Sequence, residues 1–247
     1  MQRRTSTFIL CTAVILMLTP VPVGSVNASA ANDGISLVLK QQESNILSLE
    51  LEFSKKNKGS LERTFSFLDW GPNGYATGFL VSGGIALTAY HVVSGDLSDT
   101  KKKLLGFKAQ DQLDVKVYVN GCEAKVIKVD KDADLALLSV CVSLKQISTL
   151  KFQFFPSKDE KLTAIARLHG DRQLSRGTLY GSYSFRGQEY WSAKFDMRDG
   201  YSGSPVYNQK AEVVGVFCGY DWSQGLAVIS PAAHAQKLLE DYFSNRK

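Results

Sequence analysis

The sequence predicts an all-β protein, an antiparallel sandwich or a pair of barrels, with one helix at its C-terminus. Three observations carry this. Beyond residue 60 the chain is a succession of short β-rich runs separated by polar turns, the pattern of antiparallel sheets rather than of alternating strands and helices. The last segment, 231–243, changes to a helical spacing, with Ala235, Leu238, Leu239 and Tyr242 on one face. Apolar and charged fractions of 44% and 21% are those of an ordinary globular chain, which excludes disorder and fibrous structure.

The first 30 residues stand apart from this pattern. Arg3 and Arg4 precede an apolar run at 8–18, then Pro20 and a small-residue stretch ending Ala28-Ser29-Ala30. Positive charge, apolar core and an A-x-A end form a cleavable secretory signal, so cleavage is expected after Ala30, leaving a single mature domain over 31–247 with no appended domain. A spanning helix needs about 20 apolar residues, so no stable membrane insertion is expected after signal removal. The expected location is outside the cytoplasm, in a periplasm or the surrounding medium. Losing Arg3 and Arg4 lowers the formal charge from +5 to +3, too small an excess to make nucleic acid or an anionic membrane the partner. Lys55-Lys56-Asn57-Lys58 and Lys101-Lys102-Lys103 read as solvated loops.

In the mature chain, 35–53 mixes apolar and polar residues without a clean period, leaving helix and strand both open. The lysine-rich stretch 54–60 reads as a loop. Strand runs 75–82 and 85–89 flank Gly83-Gly84, a hairpin signal. Further β-rich runs fall at 113–120, 124–129, 135–140, 161–167, 177–185, 190–195, 204–207, 213–218 and 226–229. Ser230 before Pro231 suits a helix start.

Three cysteines remain after signal removal: Cys122, Cys141 and Cys218. If 124–129 and 135–140 pair as a hairpin, Cys122 and Cys141 face each other across it, and a disulfide persists in an oxidising compartment. Three small buried hydrophobes are the alternative reading. The spacings do not resemble a zinc site, and neither metal nor cofactor is expected.

Three segments carry candidate chemistry: Thr88-Ala89-Tyr90-His91-Val92-Val93, Asp132-Ala133-Asp134-Leu135-Ala136-Leu137-Leu138 and Gly200-Tyr201-Ser202-Gly203-Ser204-Pro205-Val206. A serine hydroxyl is a weak nucleophile and needs a base within hydrogen-bond reach. Histidine suits that role near neutral pH, and its second ring nitrogen needs an orienting carboxylate. Glycines beside the serine let backbone N–H groups turn toward a developing oxyanion; Gly200 and Ser202 would supply them. Asp132 rivals Asp134, and Ser204 rivals Ser202. His169 and His234, in no such context, read as ordinary residues.

These motifs, in the order His, Asp, Ser, resemble those of the chymotrypsin clan of trypsin-like serine proteases over roughly 77–243. The T-A-x-H-V-V and G-x-S-G-S-P forms are most similar to bacterial glutamyl endopeptidases and to the high-temperature-requirement protease domains. The resemblance implies two packed antiparallel β-barrels with the site in the crevice between them. It implies a serine endopeptidase acting on protein or peptide through an acyl-enzyme, with His91 as base, Asp134 as orienting acid and Ser202 as nucleophile. It also prefers Asp134 over Asp132, because the Leu-Ala-Leu-Leu strand follows directly, and Ser202 over Ser204. A catalytically silent binding protein on the same fold is the alternative, and the intact set of three speaks against it.

Two departures from the family bear on activation and specificity. Tyr201 stands where digestive zymogens carry an aspartate that pairs with a newly cut N-terminus, so activity is expected not to depend on such an insertion. Asp196 falls either at the base of a trypsin-like pocket or at a strand end, depending on the alignment. Phe217 replaces the histidine that receives glutamate in glutamyl endopeptidases, so glutamate specificity does not follow, and Tyr220 stands near the expected pocket wall. Phe217, Cys218 and Gly219 are the expected edge that pairs with an extended substrate.

Overall fold

A computed structural model describes residues 28–56, 73–141 and 149–245. The signal-like residues before 28 and most of the lysine-rich stretch 54–60 lie outside them. The first described element is helix α1 (Ala28–Gln42), so the expected cleavage point after Ala30 falls in its first turn. Twelve strands follow among the described residues, arranged as two closed six-stranded antiparallel barrels.

The first barrel comprises β1 (Ile46–Lys55), β2 (Gly74–Ser82), β3 (Ile85–Ala89), β4 (Leu113–Val119), β5 (Cys122–Asp130) and β6 (Leu135–Ser139), closed in the order β1-β2-β3-β6-β5-β4. Two short helices, α2 (Tyr90–Ser94) and α3 (Asp99–Leu104), interrupt it between β3 and β4. The second comprises β7 (Lys161–Leu168), β8 (Asp171–Phe185), β9 (Gln188–Phe195), β10 (Pro205–Tyr207), β11 (Val213–Asp221) and β12 (Leu226–Pro231), in the order β10-β11-β12-β9-β8-β7. Helix α4 (Ala232–Ser244) ends the fold, and Pro231 rather than Ser230 caps it. Ser230 is the last but one residue of β12 and fully buried.

Closure pairs every strand with two neighbours, and the buried apolar residues among those described form three cores rather than one. One fills the first barrel, with Leu49, Leu51, Leu80 and Leu138. A second fills the other barrel, with Leu162, Leu179, Val214 and Phe217. The third lies between them: Leu87, Leu135 and Leu137 from one side, Ile165, Val213 and Val216 from the other, closed by Val38 of α1 and by Ala235 and Leu238 of α4. Strands at this junction are buried on both faces. In β3, Ile85 and Leu87 belong to the inter-barrel core while Ala86 and Ala89 belong to the barrel interior. That is why β3 and β6 read as continuous apolar runs instead of alternating ones.

The open segment 35–53 divides at its middle into the end of α1, a 3-10 turn (Glu43–Asn45) and β1. The turn is tied to the second barrel by Arg172, whose guanidinium lies 2.9 Å from the Glu43 carboxylate. Strand β8 begins six residues earlier than the sequence indicates. Its added half pairs with β7 through the two-residue turn His169-Gly170, both residues at positive φ, the geometry of a tight hairpin. Cys122 and Cys141 are bridged, with Cα atoms 6.2 Å apart.

Candidate active site

The crevice between the barrels collects the three motif segments. His91 sits in α2, directly after β3; Asp134 immediately precedes β6; Ser202 lies on the turn before β10. Strands β3 and β6 are register partners, with Ala89 opposite Leu135, so the two ends carrying His91 and Asp134 are adjacent by construction. Ser202 arrives from the other barrel.

Asp134 holds His91 at two points. One carboxylate oxygen accepts from the His91 backbone N–H at 2.8 Å, and the other lies 2.7 Å from Nδ1. A carboxylate can only accept, so Nδ1 carries the proton and Nε2 presents its lone pair. That nitrogen lies 2.9 Å from the Ser202 hydroxyl oxygen. Asp134 adopts φ 53°, a left-handed conformation uncommon outside glycine, and its carbonyl accepts from Tyr90 N–H at 3.0 Å. The rival Asp132 is exposed and contributes only its backbone, its carbonyl accepting from the Tyr190 hydroxyl at 2.6 Å. Burial, with Cys218 and Asp134 nearby, pushes the Tyr190 phenol well above its ordinary pKa, so it remains a donor.

The turn around Ser202 separates its amides into two groups. Tyr201 donates to Arg198, Gly203 to Phe217 and Ser204 to Tyr201. The N–H groups of Gly200 and Ser202 have no acceptor among the described residues. Both residues are half-buried on the turn that carries the Ser202 hydroxyl, so their two unpaired amides can serve together as donors to a negatively charged oxygen. Gly203, at φ 84°, packs its backbone against the other barrel: a Cβ there would collide with the Thr77 carbonyl and the Thr88 hydroxyl. The rival Ser204 is fully buried, and its hydroxyl has no hydrogen-bond partner among the described residues.

Beside His91 opens a cleft of about 880 Å³, lined among others by Tyr183, Tyr190, Cys218, Gly219 and Tyr220. Strand β10 pairs with β11 only as far as Val216, so from Cys218 onward the outer edge of β11 has no strand beside it among the described residues. Phe217 is not part of that free edge. Its N–H donates to Ser204, its carbonyl accepts from Gly203, and its ring is buried in the second barrel. The edge open to an extended chain is therefore Cys218–Gly219–Tyr220. The Cys218 sulfur lies 3.8 Å from the Asp134 carbonyl, and burial together with Asp134 raises its thiol well above the usual value.

Asp196 lies one residue past β9 with an exposed carboxylate 3.8 Å from Arg198, while its carbonyl accepts from Ser175 at 2.7 Å. This is a strand-end position and not the floor of a pocket. Tyr201 is buried in the second barrel's core beside Met197. His169 lies against Tyr75 with the two rings tilted by 40°, and His234 pairs with Gln188; neither histidine is part of the row of site residues. Thr77 and Tyr190, which tie the site's loops across the barrels, carry no motif that the sequence reading could have used.

A pair of six-stranded barrels with a serine, a histidine and a carboxylate lined up in the crevice defines the class of double-barrel serine hydrolases. The family model for the trypsin-like peptidase domain matches residues 76–216. The chain belongs to this trypsin-like family and is a serine peptidase. The fold is shared with crystal structures of the Rv3671c protease of M. tuberculosis. Its active form aligns with a TM-score of 0.59 at 17% identity, covering 92% of this chain and 93% of that one. An inactive-form mutant from strain H37Rv aligns with a TM-score of 0.55 at 17% identity, covering 95% and 99%. No curated protein matches the sequence. The likeness to glutamyl endopeptidases and high-temperature-requirement proteases rests on the motifs alone.

Proposed function

We propose that the protein is an exported serine endopeptidase in which Ser202 attacks the scissile carbonyl, His91 takes its proton, and Asp134 holds the imidazole. The observation that carries this reading is the continuous row from Asp134 through His91 to Ser202, with links of 2.7 and 2.9 Å. Attack forms a bond from Ser202 Oγ to the carbonyl carbon. The hydroxyl proton passes to Nε2, and the negative charge on the carbonyl oxygen is met by the N–H groups of Gly200 and Ser202. Collapse releases the amine, which receives the proton from His91, and leaves an acyl group on Ser202; water then repeats the sequence. The residues N-terminal to the cut lie along Cys218–Gly219–Tyr220 as an added strand, with their side chains over the cleft beside His91.

Export is supported by the signal-like start and by the Cys122–Cys141 bridge, which suits an oxidising compartment. Among the described residues no helix is long and apolar enough to cross a membrane. The test is hydrolysis of a mixed peptide library by the mature protein and by Ser202→Ala. Cleavage that disappears in the variant, whose fold is unchanged by circular dichroism, is the expected result. An uncleaved library with wild-type protein contradicts it and favours a binding protein on the same fold.

A further inference from the structure

Thr77, in the middle of β2, is fully buried, and each of its polar atoms is engaged at the site. Its backbone N–H donates to the Ser202 carbonyl at 3.0 Å. Its hydroxyl donates to the Gly200 carbonyl at 3.1 Å and accepts from the Arg167 N–H at 3.2 Å. Its carbonyl accepts from the Thr88 hydroxyl at 2.8 Å, three residues before His91. A single residue of the first barrel thus grips Gly200 and Ser202 of the second while bonded to the strand that leads into His91.

Resting on the reading that Ser202 is the nucleophile, we propose that Thr77 is the positioning residue of the oxyanion hole. Within 200–204, Gly200 and Ser202 are the two residues whose N–H groups have no acceptor among the described residues, and they are also the two whose carbonyls Thr77 holds. A carbonyl shares its peptide plane with the next residue's N–H. Holding the Gly200 and Ser202 carbonyls therefore fixes the two planes that flank the 201–202 peptide, which carries the Ser202 N–H, and the plane that follows the Gly200 N–H. Gly200, at φ 89° with no side chain of its own, needs that restraint from outside. The same grip sets how far apart the barrels stand. Gly203 lies against the Thr77 carbonyl and the Thr88 hydroxyl with no room for a Cβ, so the loop has one seating. Thr77 touches no substrate and transfers no proton; it acts through the amides it orients.

The test is Thr77→Val, which keeps the branched shape and removes the hydroxyl, compared with Thr77→Ser, which restores it. For the valine variant kcat falls about 10- to 100-fold with KM nearly unchanged, the scale of a misplaced oxyanion donor. Affinity for a peptide boronate, which mimics the tetrahedral adduct, falls by the same factor as kcat/KM, while affinity for a product peptide does not move. The serine variant recovers most of both losses. If valine prevents folding, Thr77→Ala, with room for a water between the Gly200 carbonyl and the Arg167 N–H, serves in the same comparison. A folded valine or alanine variant with wild-type kcat overturns the proposal, as does one whose boronate affinity and kcat/KM fail to move together. Wild-type protein that cleaves no peptide overturns the function itself, and with it this assignment.

Discussion

Asp134 stands at φ 53° with both carboxylate oxygens on His91, one on the backbone and one on the ring. A side chain held this way selects the imidazole tautomer as well as its position. Asp134→Asn keeps the shape but offers an N–H to Nδ1, which moves the ring proton to Nε2 and leaves Ser202 without a base. A fall in kcat of about 10⁴-fold with unchanged melting temperature is the expected result. At this scale the candidate site was largely legible, since the chemistry admits few residue types and the motifs name them. Asp196 and Phe217 were harder to place. Their roles depend on which backbone groups are already paired, and only the folded turn decides that: Phe217 is bonded to Ser204 and Gly203, whereas Cys218 faces an open edge. Thr77 and Tyr190 left no trace in the sequence, because their partners lie 123 and 58 residues away and are carbonyl groups that any residue could supply.

Among the elements, β1 shows how a strand is lost to a wide reading window. Leu47, Leu49, Leu51 and Phe53 alternate with Ser48, Glu50 and Glu52, and the buried positions follow that alternation. Read together with α1, whose period is different, the signal disappears. The first half of β8 was missed for another reason: Asp171, Arg172 and Gln173 are exposed, so nothing apolar marks them as strand. The β5–β6 hairpin carries Asp134 at its turn end and the Cys122–Cys141 bridge at the other. Closing a loop of that length stabilises the fold by about 3 kcal/mol in the chain-entropy account. Replacing both cysteines by serine is therefore expected to lower unfolding free energy by about that amount in urea titration, while kcat at room temperature stays within about twofold because the bridge is remote from the turn.

For the whole molecule, two barrels meeting at a third core explain how residues 91, 134 and 202 converge. Strand runs and turns indicated antiparallel β-structure, but closure into barrels came only from the family resemblance, since local periodicity carries no information about which strands pair at the seam. The structure also bears on activation. Tyr201 lies in the second barrel's core, where it offers no carboxylate to a new N-terminus, and β1 is an integral strand of the first barrel. Protein beginning at Ala31 is expected to be fully active without further processing, and a cut near Gly78, which removes β1 and half of β2, is expected to abolish activity. N-terminal sequencing of active protein, with activity measured before and after limited proteolysis, checks both.

The account stands on an activated hydroxyl at Ser202, and the direct measurement is mass-spectrometric mapping of the protein after reaction with a fluorophosphonate. One adduct on Ser202, absent after His91→Ala, is the predicted result. An adduct on Ser204, labelling that survives loss of His91, or no adduct at all would contradict it.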